Sequence, residues 1–204
     1  MSLPNSRLVA PGQFARTAVL TTLALTVVCG IGYPLLMTGL AQLIFPNQAN
    51  GSLIRDASGS VMGSVLIAQN FTKPEYFHPR PSAAGTDGYD PTSSGASNLG
   101  PTNQTLLDGV KDRAAAYRRD NGLADDAAVP IDAVTASASG LDPDISPADA
   151  LLQLGRVARA RGLTEDRVRT LITQYTQGRT LGILGEPRVN VLQLNRALDA
   201  ATAP

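Results

Sequence analysis

The chain has 204 residues, room for one soluble domain of ordinary size plus an anchor. Its 17 basic and 17 acidic side chains cancel, which excludes the basic excess a nucleic-acid binder needs to neutralise phosphates. Charged residues are only 17% of the chain, with 19 Gly and 14 Pro, so the composition suits a turn-rich compact domain joined to something apolar rather than a disordered chain; the single cysteine, Cys29, excludes an internal disulfide.

From Thr17 to Ile54 there is no Asp, Glu, Lys or Arg. About 20 apolar residues cross a hydrocarbon core of roughly 30 Å, so the spacing predicts a transmembrane helix over residues 17–40. The run is longer than the apolar centre of a signal peptide and ends without a small-x-small cleavage site, so an uncleaved anchor is expected. Thr26, Val27 and Val28 before Cys29 do not suit a lipid-modified cysteine. Arg7 and Arg16 precede the span with no acid among the first sixteen residues, whereas Arg55 and Asp56 after it cancel. Cytoplasmic flanks carry the Lys/Arg excess, which predicts a short cytoplasmic N-terminus (1–16) and an extracytoplasmic domain (41–204). Gly30, Gly32, Pro34 and Gly39 give the outer half of the span either a packing face for partner helices or the ordinary Gly and Pro content of such helices.

Pro46 and Asn47 stop the apolar helix. Residues 52–55 and 61–68 read as two strands around the turn Asp56-Ala57-Ser58-Gly59, which predicts a hairpin. Residues 73–101 are rich in Pro, Gly, Ser, Asp and Asn and lack periodicity; a loop of that length is either functional or mobile. Leu106, Val110, Ala114 and Tyr117 recur at helical spacing, and Asn121-Gly122 offers a left-handed cap. Residues 130–135 are a candidate strand, with Ile131 and Val134 as its apolar members. Ser146-Pro147-Ala148-Asp149 opens a helix with a hydroxyl cap, Pro and an acid, and Leu151, Leu154 and Ala158 form its stripe up to Gly162. Thr164-Glu165-Asp166 opens the next, with Val168, Leu171, Ile172 and Tyr175 on one face. Asn190 with Gln193 resembles a capping box ahead of Leu194 and Leu198. A few strands and about four helices make the domain α+β.

Chemistry is sparse. His78 is the lone histidine, and a hydrolase triad with Ser82, Ser93 or Ser94 lacks a Gly-x-Ser-x-Gly elbow. One His and no cysteine after the span make a zinc site poorly supplied; Asp142-Pro143-Asp144 could offer oxygens to a hard cation but reads more plainly as a turn. No phosphate-cradling glycine motif occurs. Arg156, Arg159, Arg161, Arg167 and Arg169 gather near a helix junction, most simply as a solvated face. A membrane-anchored extracytoplasmic hydrolase built on His78 and a tethered solute-binding module are the readings that residues alone leave open.

An ordered set of short stretches carries a further signal. It runs from Gly32-Tyr33-Pro34-Leu35 and Asn50-Gly51-Ser52-Leu53-Ile54 through 63–69 to Tyr76-Phe77-His78-Pro79-Arg80-Pro81-Ser82-Ala83. It continues with 94–99, Val129-Pro130, 135–142, 153–163, Gly185-Glu186-Pro187 and 189–195, covering nearly all of 32–199. In this set the chain resembles the C subunit (KdpC) family of the bacterial ATP-driven potassium-transport complex. The resemblance implies a non-catalytic accessory subunit in the bacterial inner membrane. It would work beside a channel-like potassium-binding subunit and a catalytic P-type ATPase subunit, and would have no cofactor of its own. The family is described as raising the ATP affinity of the catalytic subunit, chaperone-like, with ATP shared at a nucleotide contact matching Gln153 and Arg156. An extracytoplasmic domain cannot touch cytoplasmic ATP, so the expectation is that the domain biases the complex toward a transport-competent conformation, with 73–101 as its contact surface.

Overall fold

The computed structural model describes residues 11–56 and 58–202. The expectations placed on Arg7 and Ala57 lie outside them. The chain divides into two compact units, one up to Ser52 and one from Leu53 onward.

The first unit is a helix apolar enough to span a membrane, running over Gly12–Ile44. At 1.5 Å per residue its 33 residues are about 50 Å long, more than a hydrocarbon core requires. It comprises α1 (Pro11–Leu25), a π-helical stretch (Thr26–Gly32) and α2 (Tyr33–Ile44). Pro34 brings no N–H and its ring crowds the carbonyl four residues back; the wider π turn just before it accommodates both, with the Tyr33 N–H reaching Val28 O. Phe45 leaves helical geometry at φ −132°, and Pro46 starts the single turn α3 (Pro46–Ala49).

The second unit begins with the expected hairpin. β1 (Leu53–Arg55) pairs antiparallel with β2 (Val61–Ser64), Leu53 opposite Ser64. Asp56 closes the turn by accepting from Ser58 N and Ser60 N, both at 2.9 Å. β2 ends four residues earlier than its sequence suggests, because Ser64 Oγ accepts from Leu66 N and bends the chain into a turn.

Helix α4 (Gln104–Asn121) ends on Gly122 at φ 67°, as the Asn-Gly pair predicts. The candidate strand at 130–135 is instead the single helical turn α5 (Ile131–Val134). Adjacent Ala133 and Val134 are both buried while Ile131 is exposed, a pattern that alternation across a strand cannot produce. Asp132 holds the turn in place by accepting from Ser146 N and Oγ.

A three-stranded antiparallel sheet that sequence periodicity did not reveal follows, in the order β3 (Asp144–Ile145), β5 (Arg188–Asn190), β4 (Thr176–Gln177). Helices α6 (Pro147–Arg161), α7 (Glu165–Tyr175) and α8 (Val191–Thr202) enclose the core with it. Ser146 and Thr164 cap α6 and α7 through Asp149 N and Arg167 N, and Asn190 Oδ1 accepts from Gln193 N at the start of α8. Leu154, Val157, Ala158, Val168, Leu171, Ile172, Leu194 and Leu198 fill the centre. Leu151, expected in the α6 stripe, is exposed; Ala150 and Val157 take that face.

Candidate functional site

Segment 74–78 enters the core without joining a sheet. Pro74 and, just beyond, Pro79 and Pro81 lack the N–H a ladder would use. Phe77 is nonetheless fully buried, so the backbone around it must find hydrogen bonds elsewhere. Two carboxamides supply them. Asn195 on α8 accepts from Phe77 N at 2.8 Å and donates to Phe77 O at 3.0 Å. Gln153 on α6 accepts from His78 N at 2.7 Å and donates to His78 O at 3.1 Å. Each amide thus serves one residue as a neighbouring strand would.

Two arginines complete this clamp. Arg156 lies one turn after Gln153 on the same face of α6. Its Nη1 donates to Pro74 O at 2.6 Å and Tyr76 O at 2.8 Å, its Nε to Asn121 Oδ1 and its Nη2 to Gln153 Oε1. Arg161 donates to Glu75 O at 2.6 Å, pairs with Asp199 at 2.7 Å and lies over the Tyr76 ring, 4.8 Å from its centroid. Two members of the basic set are therefore internal struts, a correction to the solvated-face reading; Arg159, Arg167 and Arg169 are exposed as expected.

Gln153 and Arg156 are 1% and 6% exposed, and their polar atoms face the chain itself. Gln153 also donates to Asp149 Oδ1 at 2.9 Å, and Tyr117 OH donates to the same oxygen at 2.6 Å. Burial pushes the Asp149 carboxyl up to about 6, against the opposing pull of those two donors; nearby Asp132 adds to the rise and Arg156 opposes it. Burial and the Asp149 charge push the Tyr117 phenol well above its usual range. Asp149, Tyr117, Gln153, His78, Arg113 and Asp120 border a cavity of about 170 Å³.

His78 does not meet a serine. Its Nε2 lies 3.1 Å from Lys73 O, which can only accept, so Nε2 carries the proton. Burial, and then the Arg156 charge, hold its pKa below the usual imidazole value. Ser82 Oγ donates to Gly140 O at 2.6 Å and accepts from Tyr89 N and Ala84 N; Ser94 donates to Ser139 O. These serines tie the second half of the Pro-rich segment to the turn at 139–140. Gly140 has φ 67°, and a Cβ there would stand 2.7 Å from both Ala84 N and Gly95 O. Tyr89 OH donates to Arg80 O, and burial raises its pKa to about 12. Asp142 pairs with Arg80 at 2.7 Å and Asp144 with Arg188 at 3.1 Å, so the two carboxylates considered for a cation hold arginines. An apolar depression of about 560 Å³ beside the hairpin is lined by Leu53, Val61, Ile67, Tyr89 and Pro91.

The sequence reading missed Asn195, Asn121 and Asp149 as parts of the clamp. Asn195 was detectable: it falls on the apolar face of α8 between Val191 and Leu198, where an amide needs a buried partner.

Comparison with known proteins follows the same stretches. The family described as KdpC, K+-transporting ATPase, c chain, matches residues 15–200. A protein of Caulobacter vibrioides named potassium-transporting ATPase KdpC subunit is 58% identical over 190 residues, 93% of this chain and 94% of its own. Proteins of the same name from Gemmatimonas aurantiaca and Rhodospirillum rubrum are 56% and 58% identical over 94% and 90% of this chain, and 94% of each of theirs.

Proposed function

The chain belongs to the KdpC family, the c chain of the K+-transporting ATPase, and from that membership we propose that it is a non-catalytic accessory subunit of a potassium-uptake complex. In this reading it sits in the inner membrane with its N-terminus in the cytoplasm. The domain after the span lies outside, beside a channel-like potassium-binding subunit and a catalytic ATPase subunit. It stabilises their assembly and promotes ATP binding and turnover, chaperone-like, without holding ATP itself.

One observation supports the indirect route. Gln153 and Arg156, the positions at which the resemblance implies a nucleotide contact, spend their polar atoms on the backbone of 74–78. They act as positioning residues for the Pro-rich segment, whose outer part (Pro91, Thr92, Ser93, Asn98, Leu99) is exposed and available to a partner. A contact that favours the conformation of the complex that binds ATP more tightly raises the apparent ATP affinity of the whole complex by linkage, at any distance.

Photolabelling of the purified complex with an azido-ATP tests this. The label is expected on the catalytic subunit alone, and ATP affinity should fall when this chain is withheld. Label on this chain that disappears in a Gln153→Leu variant would establish direct contact instead.

A further inference from the structure

The Asp149 carboxylate is 1% exposed, yet among the described residues no cationic side chain pairs with it. The nearby arginines are engaged elsewhere. Arg156 gives its N–H groups to Asn121, Gln153 and the Pro74 and Tyr76 carbonyls. Arg113 donates its Nε to Val134 O at 2.6 Å, and its Nη1 lies 3.2 Å from where a Cβ on Gly109 would stand, one turn back along α4. Nor does Asp149 complete a capping box with Ser146, because Asp132 takes the Ser146 N–H. The two carboxylate oxygens are unequal. Oδ1 accepts from Tyr117 OH and Gln153 Nε2, whereas Oδ2 accepts from no described residue. Oδ2 is also not a sealed atom: the one fully enclosed polar side-chain atom left without a partner among the described residues is Arg80 Nε. Its open side is therefore the cavity of about 170 Å³ that Asp149 borders.

A buried carboxylate is held by a partner of opposite charge or by donors to both oxygens. The cavity is built for a donor. His78 Nε2 gives its proton to Lys73 O, which leaves Nδ1 an acceptor, and Tyr117 Oη keeps a lone pair after donating to Asp149. Around Asp149 stand Asp132 from α5, Asp120 and Arg113 from α4 and Arg156 from α6, so acids outnumber arginines. Pro79, Pro81, Ala116 and Ala133 supply apolar wall, and exposed Asp120 borders the opening. The volume exceeds the roughly 30 Å³ share of one water. A bare metal ion would want more oxygens than this, whereas an ammonium head with directional N–H groups and a short alkyl stem matches acceptors and wall together. We propose that this cavity binds a primary alkylammonium group, with Asp149 Oδ2 as its counter-ion. The group belongs to a small free amine or to a lysine of another protein. The site does not depend on the subunit reading above.

The test uses the full chain in detergent, melted by far-ultraviolet circular dichroism near pH 7.5 with ethylammonium chloride. So small a ligand binds at best in the millimolar range. At about 100 mM it should raise the Tm by at least about 3 °C. Tetramethylammonium, which has no N–H, and potassium at the same ionic strength should leave the Tm unchanged, as should ethylammonium with the Asp149→Asn variant. At about pH 4.5 a proton occupies Oδ2 and the ethylammonium shift should disappear. Nα-acetyl-lysine methylamide distinguishes the sources: half-saturation below that of ethylammonium assigns the group to a protein lysine, and above it to a free amine. No shift with either amine, an equal shift with potassium or tetramethylammonium, or an undiminished shift in Asp149→Asn would each overturn the site.

Discussion

Replacing Asp149 with Asn should stabilise the domain at neutral pH and leave it unimproved in mild acid. Asp149 is 1% exposed, and burial raises its carboxyl to about 6. That is some two decades of proton affinity above an ordinary carboxyl, and at about 1.4 kcal/mol per decade the charged form costs about 3 kcal/mol at neutral pH. The amide keeps an Oδ1 that can accept from Tyr117 OH and Gln153 Nε2. It also adds an N–H₂ bordering the 170 Å³ cavity. Incomplete pairing of that group subtracts about 1 kcal/mol, for a net gain of about 2. The sign follows from the direction of the shift. A folded-state pKa raised above the unfolded value gives stability that is fully present below about pH 4 and is lost as pH rises through 6. The difference between Asp149→Asn and wild type should therefore grow from about −1 kcal/mol at pH 4, where only the unpaired amide counts, to about 2 kcal/mol at pH 7.5. Denaturant titrations of the full chain in detergent, followed by far-ultraviolet circular dichroism, measure it, because every other titrating group is common to both proteins. A difference that is constant with pH, or a variant that weakens as pH rises, would refute the claim that desolvation dominates at this carboxylate.

Other perturbations of the clamp follow from the same geometry, each read from denaturant midpoints at unchanged slope. Asn195→Leu keeps the volume but strands the buried Phe77 N–H and C=O, and should cost roughly 2–4 kcal/mol. Arg156→Met leaves the Pro74 and Tyr76 carbonyls and Asn121 Oδ1 without the donor Arg156 supplies and should cost roughly 3–5 kcal/mol. Gly140→Ala forces a Cβ against Ala84 N and Gly95 O at a left-handed backbone position and should cost at least about 2 kcal/mol. A loss under 1 kcal/mol in any of the three would contradict the role given to that residue.

What the sequence disclosed depended on whether a signal was local. The long apolar helix, the hairpin turn at Asp56, and the caps at Asn121-Gly122, Ser146, Thr164 and Asn190 each follow from a few neighbouring residues, and all are present. The strands β3, β4 and β5 are two or three residues long, too short for alternation to appear, and pairings such as Asp144 with Asn190 join segments far apart in the chain. Residues 130–135 misled because Ile131 and Val134 favour strands, whereas Asp132 bonding to Ser146 fixes a helical turn. The clamp was half visible. Gln153 and Arg156 stood out by family resemblance, but their ties to Pro74, Tyr76 and His78 cross 75 to 82 residues, which no local pattern encodes.

With the domain outside, as proposed, any effect it has on ATP would have to cross the membrane through partner subunits. A cysteine at the exposed Ser58, in a Cys29→Ser background, can be challenged in intact cells with a membrane-impermeant thiol reagent. Labelling is expected without breaching the inner membrane. Protection that ends only when that membrane is opened would place the domain in the cytoplasm and return direct nucleotide contact near Gln153 to the front.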